Sequence, residues 1–287
     1  MNIKEVFNPE SIEEVLELLN KYGDKAKIIA GGTDVIIELK NEKINPDVLI
    51  DIFKIKDLKK IEEKDGMITI GACVSFTQVV ESDLFKTNLI GFNKACRLVG
   101  SPQIRNKGTI GGNIVNKAAA ADSVPPLMCL DAILTIESLN DKREISLEEY
   151  YNTPLKNGEL LTYIKFNKPN GDVSLSFAKL GLRKALAISR LTNSVMIEFD
   201  EDNKVKDVKV ASGALGRTPV RERTVEKYLL GKDINDQVIE QATEVLRSSA
   251  EERLKGRSTF PYKSSAINTT LKEAIDNCMA TREELKK

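Results

Sequence analysis

After Ser11, apolar residues recur at Val15, Leu16, Leu18 and Leu19 among Glu13, Glu14, Glu17 and Lys21, and Gly23 follows. This spacing predicts an amphipathic helix. Ser11-Ile12-Glu13-Glu14 has the form of a capping box, in which Ser11 accepts from the third helical amide and Glu14 reaches back. Gly23 suits the stop. The pattern then shortens: Lys27-Ile28-Ile29-Ala30 reads as a buried strand running straight into Gly31-Gly32, and Asp34 to Lys40 is helical again. Strand, glycine turn and helix start, in that order, aim backbone amides at an anion.

Asp47 to Ile52 and Met67 to Ala72 are the next predicted strands, and the Lys/Glu-rich stretch from Lys54 to Lys64 between them marks a subdomain border. Helices over Ser75 to Val80 and Leu89 to Val99 lead to a second glycine turn, Gly108 to Gly112. Beyond Pro125-Pro126, Met128 to Ile136 carries a strand and Glu159 to Phe166 another. From Val173 the texture changes. Ser194 to Phe199 and Val205 to Val210 alternate apolar and polar residues and join through a polar turn, Asp200 to Lys204, as a hairpin does. Helices over Glu222 to Leu230, Asp236 to Ala250 and Ser265 to Lys286 close the chain. Strands followed by a helical tail predict a separate α+β domain.

Composition narrows the function classes. A chain of 287 residues, 41% hydrophobic and 30% charged, is of ordinary globular type and long enough for two domains. Its 43 basic and 43 acidic residues cancel, which gives no reason to expect a nucleic-acid or anionic-membrane partner. No signal-peptide pattern opens the chain and no apolar run approaches a membrane span, so the expected location is the cytoplasm. Cys73, Cys96, Cys129 and Cys278 are scattered without CxxC pairing and read as buried structural thiols. There is no histidine, which removes Ser-His-Asp triads, Cys-His pairs and HExxH zinc sites. Chemistry at neutral pH then falls to a bound cofactor.

The two glycine turns are the candidate binding elements. In Ile28-Ile29-Ala30-Gly31-Gly32-Thr33-Asp34 the glycines permit close backbone approach, and the amides from Gly31 to Asp34 can face a diphosphate. Taken alone, the turn fits a plain strand-to-helix bend equally well. The second, Gly100-Ser101-Pro102-Gln103-Ile104-Arg105-Asn106-Lys107-Gly108-Thr109-Ile110-Gly111-Gly112-Asn113, matches neither GxxxxGK[ST] nor GxGxxG, which argues against P-loop and Rossmann sites. Thr109 and Asn113 add a hydroxyl and an amide that suit phosphate and ribityl oxygens, and a structural bend is the alternative. Side chains introduced at Gly32 or Gly111 are expected to intrude where phosphates approach while leaving the fold intact.

The Ala30-Gly31-Gly32-Thr33-Asp34 turn, the Ser101 to Asn113 stretch and Ala119-Ala120-Ala121-Asp122-Ser123-Val124-Pro125-Pro126 together closely resemble the FAD-binding subunit of the xanthine dehydrogenase family of molybdenum hydroxylases. The resemblance runs over nearly the whole chain, and Ser212 to Arg221 resembles that family's flavoprotein C-terminal domain. It implies an α+β protein: a two-subdomain FAD-binding fold of the vanillyl-alcohol-oxidase/PCMH type at 1–56 and 57–172, then an α+β C-terminal domain at 173–287 with an antiparallel sheet plus helices. By resemblance, the backbone of Ile29, Ala30, Gly31, Gly32, Thr33 and Asp34 binds the FAD pyrophosphate, flanked by Ile28, Val35 and Ile36. Thr109, Ile110, Gly111, Gly112 and Asn113 hold phosphates and ribityl chain from the other side, with Ser101 nearby. Asp122 stands at the flavin side, its alternative being an N-cap for the following helix. Ile164 and the Arg183 to Ser189 turn fall where the family touches the flavin ring. Some relatives carry a lysine or an aromatic residue in that turn, whereas this chain has Leu186-Ala187-Ile188-Ser189, so Lys184 stands either as a substitute or as a solvated charge.

The activity implied is electron transfer within a larger enzyme. A molybdenum-cofactor subunit oxidises a purine or other heterocycle, an iron-sulfur subunit relays the electrons, and FAD in this chain passes them to NAD+. Xanthine dehydrogenase is the expected complex, a heterotrimer or its double, with nicotinate, aldehyde and carbon monoxide dehydrogenases as alternatives. A stand-alone reductase of the enolpyruvyl-glucosamine type and a scaffold without cofactor are the remaining alternatives.

Overall fold

The computed structural model describes residues 3–183 and 186–287, and the chain divides into two compact units. One is formed by the chain up to Gln78 with Ser101–Asn116 and Ala132–Lys168; the other by Val79–Gly100, Lys117–Asp131 and Pro169–Lys287. The architecture is α+β, and among the described residues no helix is long and apolar enough to cross a membrane.

The first unit begins as its sequence period predicts. Ser11 Oγ accepts from the Glu14 amide at 3.2 Å, and the helix Ile12–Tyr22 runs to Gly23, whose φ of 51° ends it. Glu14 Oε2 reaches one residue beyond the N-cap, to the Glu10 amide at 2.8 Å. The helix buries Val15, Leu16 and Leu19 in a core with Val48, Ile50 and Ile52. It is also the crossover that lets Glu5–Phe7 and Ala26–Ile29 flank Val48–Asp51 in a parallel three-stranded sheet.

A five-stranded antiparallel sheet follows, with the spatial order Ile61–Lys64, Met67–Gly71, Leu160–Asn167, Ile133–Glu137, Lys142–Ser146. The Lys/Glu-rich stretch lies between the two sheets in sequence, and its end becomes an edge strand, Ile61–Lys64. Asp65 and Gly66, both at positive φ, turn it into Met67. Charged residues hide such a strand from an alternation test because an edge strand tolerates and exploits them. A second departure is the run from Met128 to Ile136. Val124–Cys129 is a helix with prolines in its first turn, and the strand begins only at Ile133. All six helical residues are buried, so the apolar run carried no period to distinguish helix from strand.

In the second unit Val173–Gly181, Ser189–Phe199, Val205–Gly213 and Val220–Arg221 form an antiparallel sheet. Val195, Ile197, Val208 and Val210 pack with Ile239, Leu246, Ile267 and Leu271 of the helices Asp236–Leu254 and Phe260–Leu285. The central strand starts five residues ahead of Ser194, since Ser189, Thr192 and Asn193 are buried polar residues that break the expected alternation. The helix Ile90–Arg97 also packs on this sheet. It approaches so closely that a Cβ on Gly91 would lie 2.5 Å from the Ser176 carbonyl carbon.

Candidate functional site

The two glycine turns meet within the first unit. A Cβ on Gly31 would stand 1.7 Å from the Lys107 carbonyl oxygen and 3.1 Å from the Gly108 nitrogen, so only glycine lets these backbones touch. Gly32 follows at φ 72°, a left-handed conformation that glycine adopts without a Cβ penalty. The chain then enters the short helix Val35–Lys40, with the Ile36 amide on the Gly32 carbonyl at 3.1 Å and the Glu38 amide on the Asp34 carbonyl at 3.0 Å. Among the described residues the amides of Gly31, Gly32, Thr33, Asp34 and Val35 donate to no protein carbonyl. Five successive donors are thereby left for something other than the fold.

The second turn is built differently. Ser101 Oγ caps the helix Pro102–Lys107 by accepting from the Ile104 amide at 3.3 Å, and Thr109 Oγ1 caps Ile110–Val115 by accepting from the Gly112 amide at 3.1 Å. Gly108 accepts from the Phe76 amide at 3.1 Å, Ile110 donates to the Val74 carbonyl at 2.9 Å, Gly111 to Ala72 at 3.0 Å, and Asn113 to Thr109 at 3.0 Å. The amides from Ile110 to Asn113 are spent on the protein. This turn is the floor on which the first turn's open amides rest. Gly111 belongs to that floor: a Cβ there would meet the Ala72 Cβ at 2.6 Å and its carbonyl oxygen at 2.7 Å. The expectation that a side chain at Gly111 spares the fold is therefore corrected.

A cleft of about 570 Å³, within the roughly 300–1,000 Å³ of small-molecule sites, opens over the turns. Ile28, Ala30, Gly31, Gly32, Thr33, Asp34 and Val35 line it together with Thr109, Gly111, Gly112 and Asn113. Ile29, Ser101, Ile110 and Ile164 are not among its lining residues; Ile110 and Ile164 are fully buried side chains. Sequence reasoning missed two further walls, one of Gly23, Asp24, Ala26 and Lys27 and one from Leu155 to Leu161. The Gly23 and Gly158 turns, both at positive φ, were the only local signal for them.

Charge in the cleft is mixed. Lys27 and Lys156 face Asp24, Asp34, Glu38 and Glu159. Arg143 neutralises Glu159 through two bonds of 2.8 and 2.9 Å. Partial desolvation, and then Glu38, push the Asp34 carboxyl above 3.8. The chain has no histidine, no cysteine lines the cleft, and burial pushes the Cys73 and Cys129 thiols up to about 12 and Cys278 to about 11. Among the described residues no three Cys, Asp or Glu side chains gather to hold a metal ion. A concave wall of open amides, with glycines where backbone must approach, is a donor set suited to a phosphate-bearing redox cofactor.

Asp122 lies in the second unit, buried, with Oδ2 2.5 Å from Lys179 Nζ and Oδ1 accepting from Ser189 Oγ at 2.5 Å. Lys179 donates also to the Leu98 carbonyl at 3.0 Å. Burial raises the Asp122 carboxyl while Lys179 and Ser189 pull it back. The N-cap alternative is not realised, because Ser123 precedes the helix and Asp122 points to the ion pair. Lys179 had no sequence signal. Lys184 falls outside the described residues.

Comparison with known proteins agrees with this geometry. Residues 2–169 match the family model of the FAD binding domain in molybdopterin dehydrogenase, and residues 176–278 match that of the CO dehydrogenase flavoprotein C-terminal domain. The chain is 32% identical over 277 residues to the nicotinate dehydrogenase FAD-subunit of Eubacterium barkeri, covering 94% of each. It is 29% identical over 262 residues to the xanthine dehydrogenase FAD-binding subunit of Escherichia coli O157:H7, covering 89% of each. A chain of the reconstituted CO dehydrogenase from Oligotropha carboxidovorans superposes with a TM-score of 0.90 at 25% identity, over 98% of this chain and 99% of that one. The two glycine turns, the cleft over them and the antiparallel C-terminal sheet thus belong to an FAD-binding subunit of the molybdenum hydroxylase family.

Proposed function

We propose that this chain is the cytoplasmic electron-transfer subunit of a multi-subunit hydroxylase of nitrogen heterocycles, receiving electrons from an iron-sulfur chain and passing them to NAD+. The carrying observation is the row of five open amides, Gly31 to Val35, beside a cleft lined by no histidine and no cysteine. Bound FAD supplies the redox chemistry. The chain's own residues bind and orient. In this reading the open amides hold the pyrophosphate, Ile28 and Ile29 anchor the turn to its sheet, and Thr109, Gly112 and Asn113 face the cofactor from the opposite wall. Ile110, Gly111, Ser101 and Ile164 act at one remove, by packing and helix capping.

Oxidation of the organic substrate is assigned to a molybdenum-cofactor partner. Xanthine is the first reading of that substrate. Nicotinate is the second, favoured by the 32% identity to a nicotinate dehydrogenase FAD-subunit. The test combines the chain, loaded with FAD, with its iron-sulfur and molybdenum chains and follows NAD+ reduction on xanthine and on nicotinate. The chain alone is expected to pass electrons from NADH to a dye and to oxidise neither heterocycle. Heterocycle turnover without partners, or a full complex that reduces no NAD+, overturns the reading.

A further inference from the structure

The strand Lys142–Ser146 lies at the edge of the five-stranded sheet, with Arg143 and Ile145 half-buried between exposed Lys142, Glu144 and Ser146. That alternation turns Arg143 toward the protein. Ile136 pairs with Arg143 on one side and with Leu161 on the other, and the arginine reaches past it to Glu159, the residue just before the strand Leu160–Asn167. Its Nε and a terminal nitrogen donate to the two Glu159 carboxylate oxygens at 2.8 and 2.9 Å, a fork that fixes orientation as well as charge. The Glu159 side chain is 10% exposed. Glu159 lines the cleft and Arg143 does not.

The same carboxylate closes a turn in the cleft wall. Glu159 Oε2 accepts from the Lys156 amide at 2.7 Å, the Glu159 amide donates to the Lys156 carbonyl at 3.1 Å, and Gly158 takes the left-handed third position at φ 80°. Lys156, Asn157, Gly158 and Glu159 all line the cleft. Charge gives the arrangement its consequence. Among the described residues the cleft is lined by four carboxylates, Asp24, Asp34, Glu38 and Glu159, and by two ammonium groups, Lys27 and Lys156. A pyrophosphate adds to that negative excess. Arg143 supplies a cation from outside the cleft, and its hydrogen bonds are the first cause that holds the Glu159 carboxyl below 4.5. Without Arg143, Glu159 would keep its charge and lose its neutralising partner, and the turn would be fastened by the Lys156 backbone alone.

We propose that Arg143 is a positioning residue for FAD, acting through Glu159: it fastens the Lys156–Glu159 turn in the cleft wall and cancels a carboxylate that the pyrophosphate would otherwise meet. The inference rests on the reading of the cleft as the cofactor site and adds to it a residue outside the cleft on which cofactor affinity depends.

The experiment titrates the full apo-chain with FAD at low and at high sodium chloride, following flavin fluorescence, with thermal unfolding of each apo-chain alongside. Arg143→Met is expected to bind FAD roughly tenfold more weakly at low salt, as one uncompensated charge in a partly shielded site does. The deficit relative to wild type should shrink at high salt, where that charge is screened. Arg143→Met/Glu159→Gln removes the stranded charge while the glutamine keeps an oxygen for the Lys156 amide, and its affinity is expected to return to within a few-fold of wild type. Arg143→Lys keeps the charge without the fork and should fall between. If Arg143→Met does not fold, Arg143→Lys decides by the same two readings. A merely structural role would lower Tm and FAD affinity together in both Met variants, with a deficit that salt does not move, and that result overturns the inference. So does FAD binding by Arg143→Met, or in its place Arg143→Lys, at wild-type affinity, which leaves the cleft as the cofactor site. A chain whose FAD affinity is indifferent to Gly31→Ala as well overturns that site and the inference with it.

Discussion

Gly31→Ala tests the contact between the two glycine turns. The added Cβ would lie 1.7 Å from the Lys107 oxygen and 2.4 Å from its carbonyl carbon, both backbone atoms, whereas real Cβ contacts stop at about 3.0 Å. The turns must part by more than an ångström. Overpacking of this kind costs about 1–3 kcal/mol, which in a protein of this size lowers Tm by roughly 2–4 °C per kcal/mol. The larger effect falls on the cofactor. Hydrogen bonds to a charged group are worth about 1.5–3 kcal/mol each, so misaligning two of the five open amides weakens FAD binding by roughly 3–6 kcal/mol, on the order of 10² to 10⁴ in Kd. Gly32→Ala is the control. Its Cβ meets only the Ile29 and Ile36 side chains, both at 3.3 Å, and its cost is left-handed strain of about 1–2 kcal/mol. The assay pairs flavin absorbance after reconstitution with thermal unfolding of the apo-chain. A Gly31→Ala protein that binds FAD within a few-fold of wild type, with unchanged Tm, would refute the reasoning.

Asp34→Asn removes a carboxylate from the cleft, and FAD affinity is expected to rise by up to about tenfold at neutral pH, on the order of 1 kcal/mol of relieved repulsion. In the wild type, affinity should increase as pH falls into the raised range of Asp34, since the neutral carboxyl tolerates a pyrophosphate better. FAD titrations across pH check both, and an Asn variant with the wild-type pH dependence contradicts them. Lys179→Met leaves Asp122 charged and buried beside Ser189 alone, an expected loss of about 3–5 kcal/mol in denaturant unfolding that Asp122→Asn in the same chain largely restores. Asp172 is held at about 2, chiefly by its hydrogen bonds to Arg282 and then by Lys286. A carboxyl lowered on folding stabilises the fold above its unfolded value near 3.8 and loses that contribution as pH falls toward 2. The melting temperature should therefore drop across that window, and less steeply in Asp172→Asn; equal acid sensitivity would exclude the linkage.

The sequence by itself determined whatever depends on near neighbours. Ser11 and Gly23 bound the first helix because caps act within one turn, and the Ala30 to Asp34 turn was visible because a strand, two glycines and a helix start are consecutive. The absence of histidine removes Ser-His-Asp triads, Cys-His pairs and HExxH zinc sites. Motif resemblance carried the cofactor and the family. The tertiary structure decided which donors of those motifs are available. Both glycine turns looked alike as cradles, yet only the first keeps its amides open; the second spends them on Val74, Ala72 and its own Thr109. Gly111 lines the cleft and also packs against Ala72, a second role invisible in the sequence because local sequence does not say which backbone a glycine faces. Asp122 was visible, but its partner Lys179, 57 residues away, was not, since charge pairing across strands leaves no period. Lys59 and Lys107 show the same thing: two cations from distant segments meet at the Phe53 ring only after the chain has folded.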